Sequence, residues 1–345
     1  MFDEIIEKIS NIINEKEIFT EKYPKFSGEG YRAHKIDIKN FHEIKKIDSN
    51  KKIALIDGGN AEIIGSANFS LNLIRVCYVV YQDNKKINTK RLEILAFTKA
   101  ANENDEIYFN TSFVNLNNDI RLDEISFNSL DHTLMHGINR AEINNVANAI
   151  RRFAEIKLAK YVADNRLSDA IVLDGNLQCT ITNEGIYLNE LYASCEKNNV
   201  ALGALGKTNS LFTENGNLLS AVLSGISTKS SWIYHPIVDI ESNSHKAEMF
   251  FAKLHEKSKH VFRFEIFNIQ KHKAEEIISM LASNSHDPVF LGYPYGLVLA
   301  DSMSRISNHE KEALKTMLLV KLKSKNIEKY LSASNAHQIL DKISF

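Results

Sequence analysis

Two apolar, β-branched runs in this chain each lead into an aspartate followed by glycine. They are Lys52-Ile53-Ala54-Leu55-Ile56-Asp57-Gly58-Gly59 and Ala170-Ile171-Val172-Leu173-Asp174-Gly175-Asn176. Runs of this kind fold as buried strands. An acid at a strand end, with glycine behind it, sets a carboxylate at a sheet edge where the backbone can approach a ligand. Two such acids suggest a pair converging on a divalent cation, since Mg²⁺ and Mn²⁺ prefer carboxylate and water oxygens. Glu142 adds a third, in line with Val146, Ala149 and Phe153 at the margin of a helical stripe. A glutamate facing a core must be paired, protonated or metal-bound. Two ions about 4 Å apart, held by such acids, activate water and stabilise the leaving oxygen in phosphodiester hydrolysis. Each residue also has a plainer reading. Asp-Gly is a common turn dipeptide, and Glu142 could pair with a lysine such as Lys157 or sit at a fraying helix end.

The elements that must position these acids follow from periodicity. Phe2, Ile5, Ile6, Ile9, Ile12 and Ile13 form an amphipathic N-terminal helix, suited equally to packing on the main domain and to a dimer contact. Residues 1–47 are therefore read as an N-terminal helical segment, and 48–345 as one α/β domain with appended helices. Leu71–Tyr81 and Arg91–Thr98 should be strands of an antiparallel hairpin across Asp83-Asn84-Lys85-Lys86, with a further strand at Glu106–Val114. Asn139–Val162 reads as a helix with Val146, Ile150, Phe153, Ala154, Leu158 and Tyr161 on its apolar stripe. Asn144, Asn148, Arg151 and Glu155 fall on the opposite face. The second Asp-Gly strand, a helix over Tyr187–Glu196 and a strand over Val200–Leu205 make a right-handed βαβ unit. That topology brings Asp174 and Lys207 to one sheet edge, where a lysine could neutralise charge building on a phosphate. A strand at Val261–Phe267, a helix at Lys273–Ala282 and a helix from Asn308 to Lys323 complete the chain.

The order is a strand with Asp, two antiparallel strands, a helix with Glu and a parallel strand with Asp. That is the ribonuclease H-like arrangement, a mixed sheet flanked by helices. An actin-like nucleotide-binding ATPase also opens strands with Asp-Gly, but Gly203, Gly206 and Gly216 make no G-x-G-x-x-G or G-x-x-x-x-G-K-[ST] phosphate loop. A catalytically silent docking partner of a DNA translocase is the alternative from another class. The net charge of −1 excludes a polycationic coat, so any nucleic-acid contact must be a local patch. Lys253, Lys257, Lys259 and Arg263, interleaved with Phe250, Phe251, Phe262 and Phe264, form the best such patch. Lys311, Lys315, Lys321, Lys323 and Lys325 read as a solvated helix face, and Trp232 as either core or interface. No apolar run approaches the roughly 18 residues of a membrane span. The N-terminus is acidic where a signal peptide would be basic, and Cys77, Cys179 and Cys195 form no Cys-x-x-Cys pair. These features together point to a cytoplasmic protein.

Ile56-Asp57-Gly58-Gly59, Arg140-x-Glu142, Leu173-Asp174-Gly175-Asn176-Leu177 and Gly206-Lys207-Thr208 together resemble the NurA nuclease family. Phe251-Ala252-Lys253-Leu254-His255, Val261-Phe262-Arg263-Phe264 and Gly292-Tyr293-Pro294-Tyr295-Gly296-Leu297 extend the resemblance, in the family's order, from about residue 51 onward. The resemblance implies a ribonuclease H-like core and a Mn²⁺-dependent DNA nuclease, with Mg²⁺ as the alternative ion. It implies 5′ to 3′ degradation, internal cutting of single strands and a homodimer docked on a hexameric HerA-type translocase. The associated process is DNA end resection in double-strand-break repair. Residue by residue, Asp57, Glu142 and Asp174 match the acidic metal ligands, and Tyr293 an active-site tyrosine. The family often has a histidine shortly after that tyrosine, where this chain reads Leu299-Ala300-Asp301. Aspartate can ligate Mn²⁺ as well, so Asp301 is the fourth candidate ligand.

Overall fold

Alternating apolar runs become strands and stripes at three- and four-residue steps become helices. The computed structural model describes residues 2–14, 22–47, 49–116, 119–207 and 210–322. In chain order the strands begin with β1 (Pro24–Lys25), β2 (Tyr31–Ala33), β3 (Phe41–Glu43), β4 (Lys52–Ser66) and β5 (Phe69–Gln82). They continue with β6 (Lys85–Glu103), β7 (Glu106–Asn115), β8 (Ile125–Asn128), β9 (Ala170–Asp174) and β10 (Ala201–Gly206). The last are β11 (Phe212–Thr213), β12 (Trp232–Tyr234), β13 (Val238–Ile240), β14 (Ala247–Lys253) and β15 (Phe262–Phe267). The helices are α1 (Phe2–Asn14), α2 (Asn145–Asp164), α3 (Glu184–Asn198), α4 (Leu219–Ile226), α5 (Ala274–Ser283), α6 (Tyr295–Ser304) and α7 (Asn308–Leu322). The chain divides into two compact units. One holds Met1–Ser49, Asp174–Gln178 and Gly203–Tyr295; the other holds Asn50–Leu173, Cys179–Leu202 and Gly296–Phe345.

In the second of these units the strands run in the order β9-β4-β5-β6-β7-β8. β4 to β8 form an antiparallel meander, and β9 joins β4 in parallel from Ile53↔Ala170 to Ile56↔Leu173. Asp83 and Asn84 join β5 to β6 with φ of 50° and 57°, the left-handed pair that a two-residue hairpin needs. β4 does not stop at Asp57, as its Asp-Gly suggested. It runs on to Ser66, because β5 pairs with it residue by residue past Gly58 and Gly59. α2 packs on β4 and β5 and also against α3. It therefore buries Val146, Ile150 and Phe153 on one side and Ala147, Ala154, Glu155 and Ala159 on others.

The first unit orders its main strands β3-β12-β14-β15-β10, each pair antiparallel. β1 pairs with β11, and β2 with β13. Trp232 is core: it is buried with Phe41, Tyr234 and Phe251, and Phe41 meets its ring edge-on at 4.9 Å. The segment 1–47 is helical over α1, whereas β1, β2 and β3 occupy its later part. Phe2, Ile5 and Ile6 of α1 are exposed. Lys323 and Lys325 lie outside the described residues, as does Thr208. Among the described residues no helix is long and apolar enough to cross a membrane.

Candidate functional site

Asp57 is buried in the middle of β4, one residue beyond the parallel ladder that ends at Ile56↔Leu173. Its Oδ1 accepts the Gly58 N–H at 2.7 Å. The two glycines behind it are there for close approach. A Cβ on Gly58 would stand 2.7 Å from Glu155 Oε1, and one on Gly59 would stand 2.5 Å from the Ser304 carbonyl oxygen at the end of α6. Glu155, on α2, is almost wholly buried and paired with Arg151 at 2.8 Å and Arg152 at 3.7 Å. Arg151 Nη1 also donates to the Gly58 carbonyl at 3.1 Å, so one guanidinium ties the strand behind Asp57 to the Glu155 carboxylate. Cys77 lies directly opposite Asp57 on β5. Burial, with some help from the Asp57 charge, pushes its thiol up to about 11 and leaves it unreactive.

Asp174 is the last residue of β9, and Gly175 follows with φ +111°, a turn conformation that glycine adopts freely. Lys207 Nζ, just past β10, stands 2.6 Å from Asp174 Oδ2. Tyr293 is buried; its hydroxyl donates to Asp174 Oδ1 at 3.4 Å, and Lys207 Nζ stands 5.9 Å from the ring centroid. The βαβ argument for a shared edge thus meets the observed geometry of Asp174 and Lys207. A carboxylate with a cation on one oxygen and a phenol on the other is suited to holding a metal while the lysine faces an anionic group.

Three expectations change. Glu142 is not in a helix and does not face the core. Asn145 N–H and Val146 N–H bond back to the Glu142 and Ile143 carbonyls as turns, so α2 starts at Asn145, and Glu142 is exposed. It lines an open cavity of about 480 Å³ with Glu62, Lys311, Glu312 and Lys315. The acid of α2 that reaches the Asp57 strand is Glu155. Periodicity put it on the solvent face because only one stripe was counted; the small residues Ala147, Ala154, Ala159 and Ala163 mark the second close packing face. Arg263 points inward, its Nε donating to the fully buried Glu265 at 2.6 Å, and is not a free DNA contact. Lys253 is half-buried, while Lys257 and Lys259 are exposed. Asp301, on α6, pairs with Arg305 at 2.7 Å. Among the described residues no three His, Cys, Asp or Glu side chains stand together as a ready-made metal site. Asp57 and Asp174 each keep the donor chemistry of a hard divalent cation, whereas Glu155 is paired with Arg151 and Arg152 on the face of β4 opposite the Asp57 side chain.

A mixed sheet flanked by helices, with β9 parallel to β4, is a ribonuclease H-like fold. Residues 51–306 match the NurA domain family, and the chain belongs to that family. It is similar to the crystal structure of the NurA nuclease from Sulfolobus solfataricus at 16% identity and a TM-score of 0.53, covering 93% of this chain and 96% of that one. The catalytic domain of human endonuclease V aligns at 11% identity and a TM-score of 0.41, covering 89% of this chain and 98% of that one. No curated protein matches the chain in sequence.

Proposed function

We propose that this protein is a metal-dependent DNA nuclease whose metal carboxylates are Asp57 and Asp174, with Asp301 as a further ligand. The observation that carries the reading is the Asp174 carboxylate with Lys207 Nζ at 2.6 Å on one oxygen and the Tyr293 hydroxyl at 3.4 Å on the other. The register adds support, since Ile56 pairs with Leu173 and each is followed by its aspartate. Bound there, Mn²⁺ or Mg²⁺ would supply Lewis-acid stabilisation of the phosphate and lower the pKa of a coordinated water. Lys207 neutralises phosphate charge, Tyr293 holds the Asp174 carboxylate in orientation, and Arg151 holds Glu155 against the Gly58 backbone. Lys253, Lys257 and Lys259 contact the DNA backbone as point charges. Within this reading Mn²⁺ is the working ion and degradation runs 5′ to 3′, with internal cutting of single strands. A cytoplasmic homodimer acts with a hexameric HerA-type translocase in end resection.

Labelled linear DNA incubated with Mn²⁺, Mg²⁺ or EDTA tests the core of the proposal. Cleavage with metal and none with EDTA is expected. Asp57→Ala and Asp174→Ala should each lower kcat by at least about 100-fold, and their combination by little more, because ligands of one centre fail as a unit. Near-normal activity of either acid variant would reject the assignment. No cleavage with any metal, with or without a translocase, would leave the docking role.

A further inference from the structure

The five residues that leave β9, Asp174–Gln178, are held by an unusually polar piece of core. Glu265 on β15 is fully buried. Its Oε1 takes the Arg263 Nε at 2.6 Å and the Arg263 Nη2 as well, and His245 Nε2 stands 3.1 Å away, near enough for a charge contact. Its Oε2 accepts the Leu177 N–H at 2.7 Å. Behind it, His245 Nδ1 bonds the Tyr31 hydroxyl at 2.9 Å. The same histidine makes a backbone bridge with Gln178. The rest of the turn is tied as well: Gly175 N–H reaches the Leu205 carbonyl at 3.0 Å, and the Asn176 side chain accepts the Gln178 N–H at 3.0 Å.

Stability alone does not explain this cluster. A buried ion pair is often matched or exceeded in stability by apolar residues of the same volume. What an apolar set cannot do is hold an amide of the loop three residues beyond Asp174. We infer that Glu265 is a positioning residue: through the Leu177 amide it fixes the turn that aims the Asp174 carboxylate, and Arg263, His245 and Tyr31 hold Glu265 in place. The inference rests on Asp174 working in cleavage, where supporting residues must hold geometry to about 0.5 Å.

Two paired substitutions separate positioning from packing. Arg263→Met with Glu265→Met keeps an apolar core and removes the acceptor for Leu177. Arg263→Met with Glu265→Gln leaves no unpaired arginine and keeps a carbonyl oxygen for that amide. Both should fold, as read by melting and near-ultraviolet circular dichroism. Hydrogen exchange across 174–178 should speed up by about tenfold or more in the Met pair and return close to wild type in the Gln pair, because exchange reads local opening. With Mn²⁺ the Met pair should lose about 30-fold or more in kcat at little change in KM, again restored by Gln, as expected for misplacement of a group rather than loss of binding. Wild-type exchange and kcat in the Met pair would overturn the inference, and so would failure of Gln to restore either. Should the pairs not fold, Tyr31→Phe takes their place. It removes only the hydroxyl on His245 and should raise exchange at Leu177 by about threefold; no change there overturns the inference. A wild-type protein that cleaves nothing ends the nuclease reading but leaves the exchange result standing. Active wild type with unaffected variants ends this inference alone.

Discussion

Gly58 and Gly59 look equivalent in the sequence, yet they face different obstacles. A methyl on Gly58 meets the Glu155 side chain, which can move; one on Gly59 meets the Ser304 backbone, which cannot move without shifting α6. Gly59→Ala should therefore cost about 2–3 kcal/mol in urea unfolding, and Gly58→Ala less. Glu265 carries a pH signature of its own. Burial alone would raise its carboxyl, but the Arg263 charge, the His245 contact and the Leu177 N–H outweigh this and hold it down at about 2. A carboxyl depressed on folding contributes stability that is fully present above its unfolded value. That contribution is lost as pH falls through the folded value. Urea titrations should thus show wild type losing about 3 kcal/mol more than the paired Met variant between pH 5 and pH 2, whichever of the two is the more stable at pH 5. An unchanged difference across that range would count against the charge pairing.

At the scale of elements, the strands and the βαβ unit were legible because apolar periodicity and turn residues report local structure directly. Asp83-Asn84 marked its hairpin, and the Asp174 strand ended where its glycine said. What misled was context. β4 passes through Asp57-Gly58-Gly59 because β5 lends it partners, which no local pattern announces. α2 starts after Glu142 and buries Glu155 because it has neighbours on two sides, which a single stripe does not reveal. α7, by contrast, has no fully buried residue. Besides its packing on β4, it is tied to the sheet by Arg75, a buried side chain on β5 that ion-pairs with Glu310 and with Glu93 and donates to the Arg305 carbonyl at 2.9 Å. Arg75→Met should therefore release α7 locally. Exchange across 308–322 should rise to nearly that of unfolded chain while β4 and β5 stay protected, at a cost of about 1–3 kcal/mol for two partly exposed acids left unpaired. Uniform destabilisation of the whole second unit would show that α7 is held by something else.

On the scale of the whole molecule, near-neutral charge limits what the protein can do alone. Phosphate neutralisation supplies most non-specific DNA affinity, and its salt dependence grows with the number of phosphates contacted. Within the proposed reading, a net charge of −1 and an inward-turned Arg263 would leave few basic DNA contacts, such as Lys253, Lys257, Lys259 and Lys207. Few contacts predict weak holding of duplex at physiological salt and a shallow slope of affinity against salt, of about 3–4 in the double-logarithmic plot. A ring-shaped translocase that threads DNA to the nuclease would offset this by raising effective concentration at the site without any new contact. The isolated protein, expected to sediment as a homodimer, should then trim long duplexes slowly. Adding the translocase and ATP should accelerate it beyond what any excess of nuclease achieves. Lys253→Ala, Lys257→Ala and Lys259→Ala together should flatten the salt slope by roughly the number of lysines removed, with little effect on translocase-driven cleavage. A monomer in sedimentation would reject the dimer, and fast processive resection by the protein alone at physiological salt would reject the dependence on a motor.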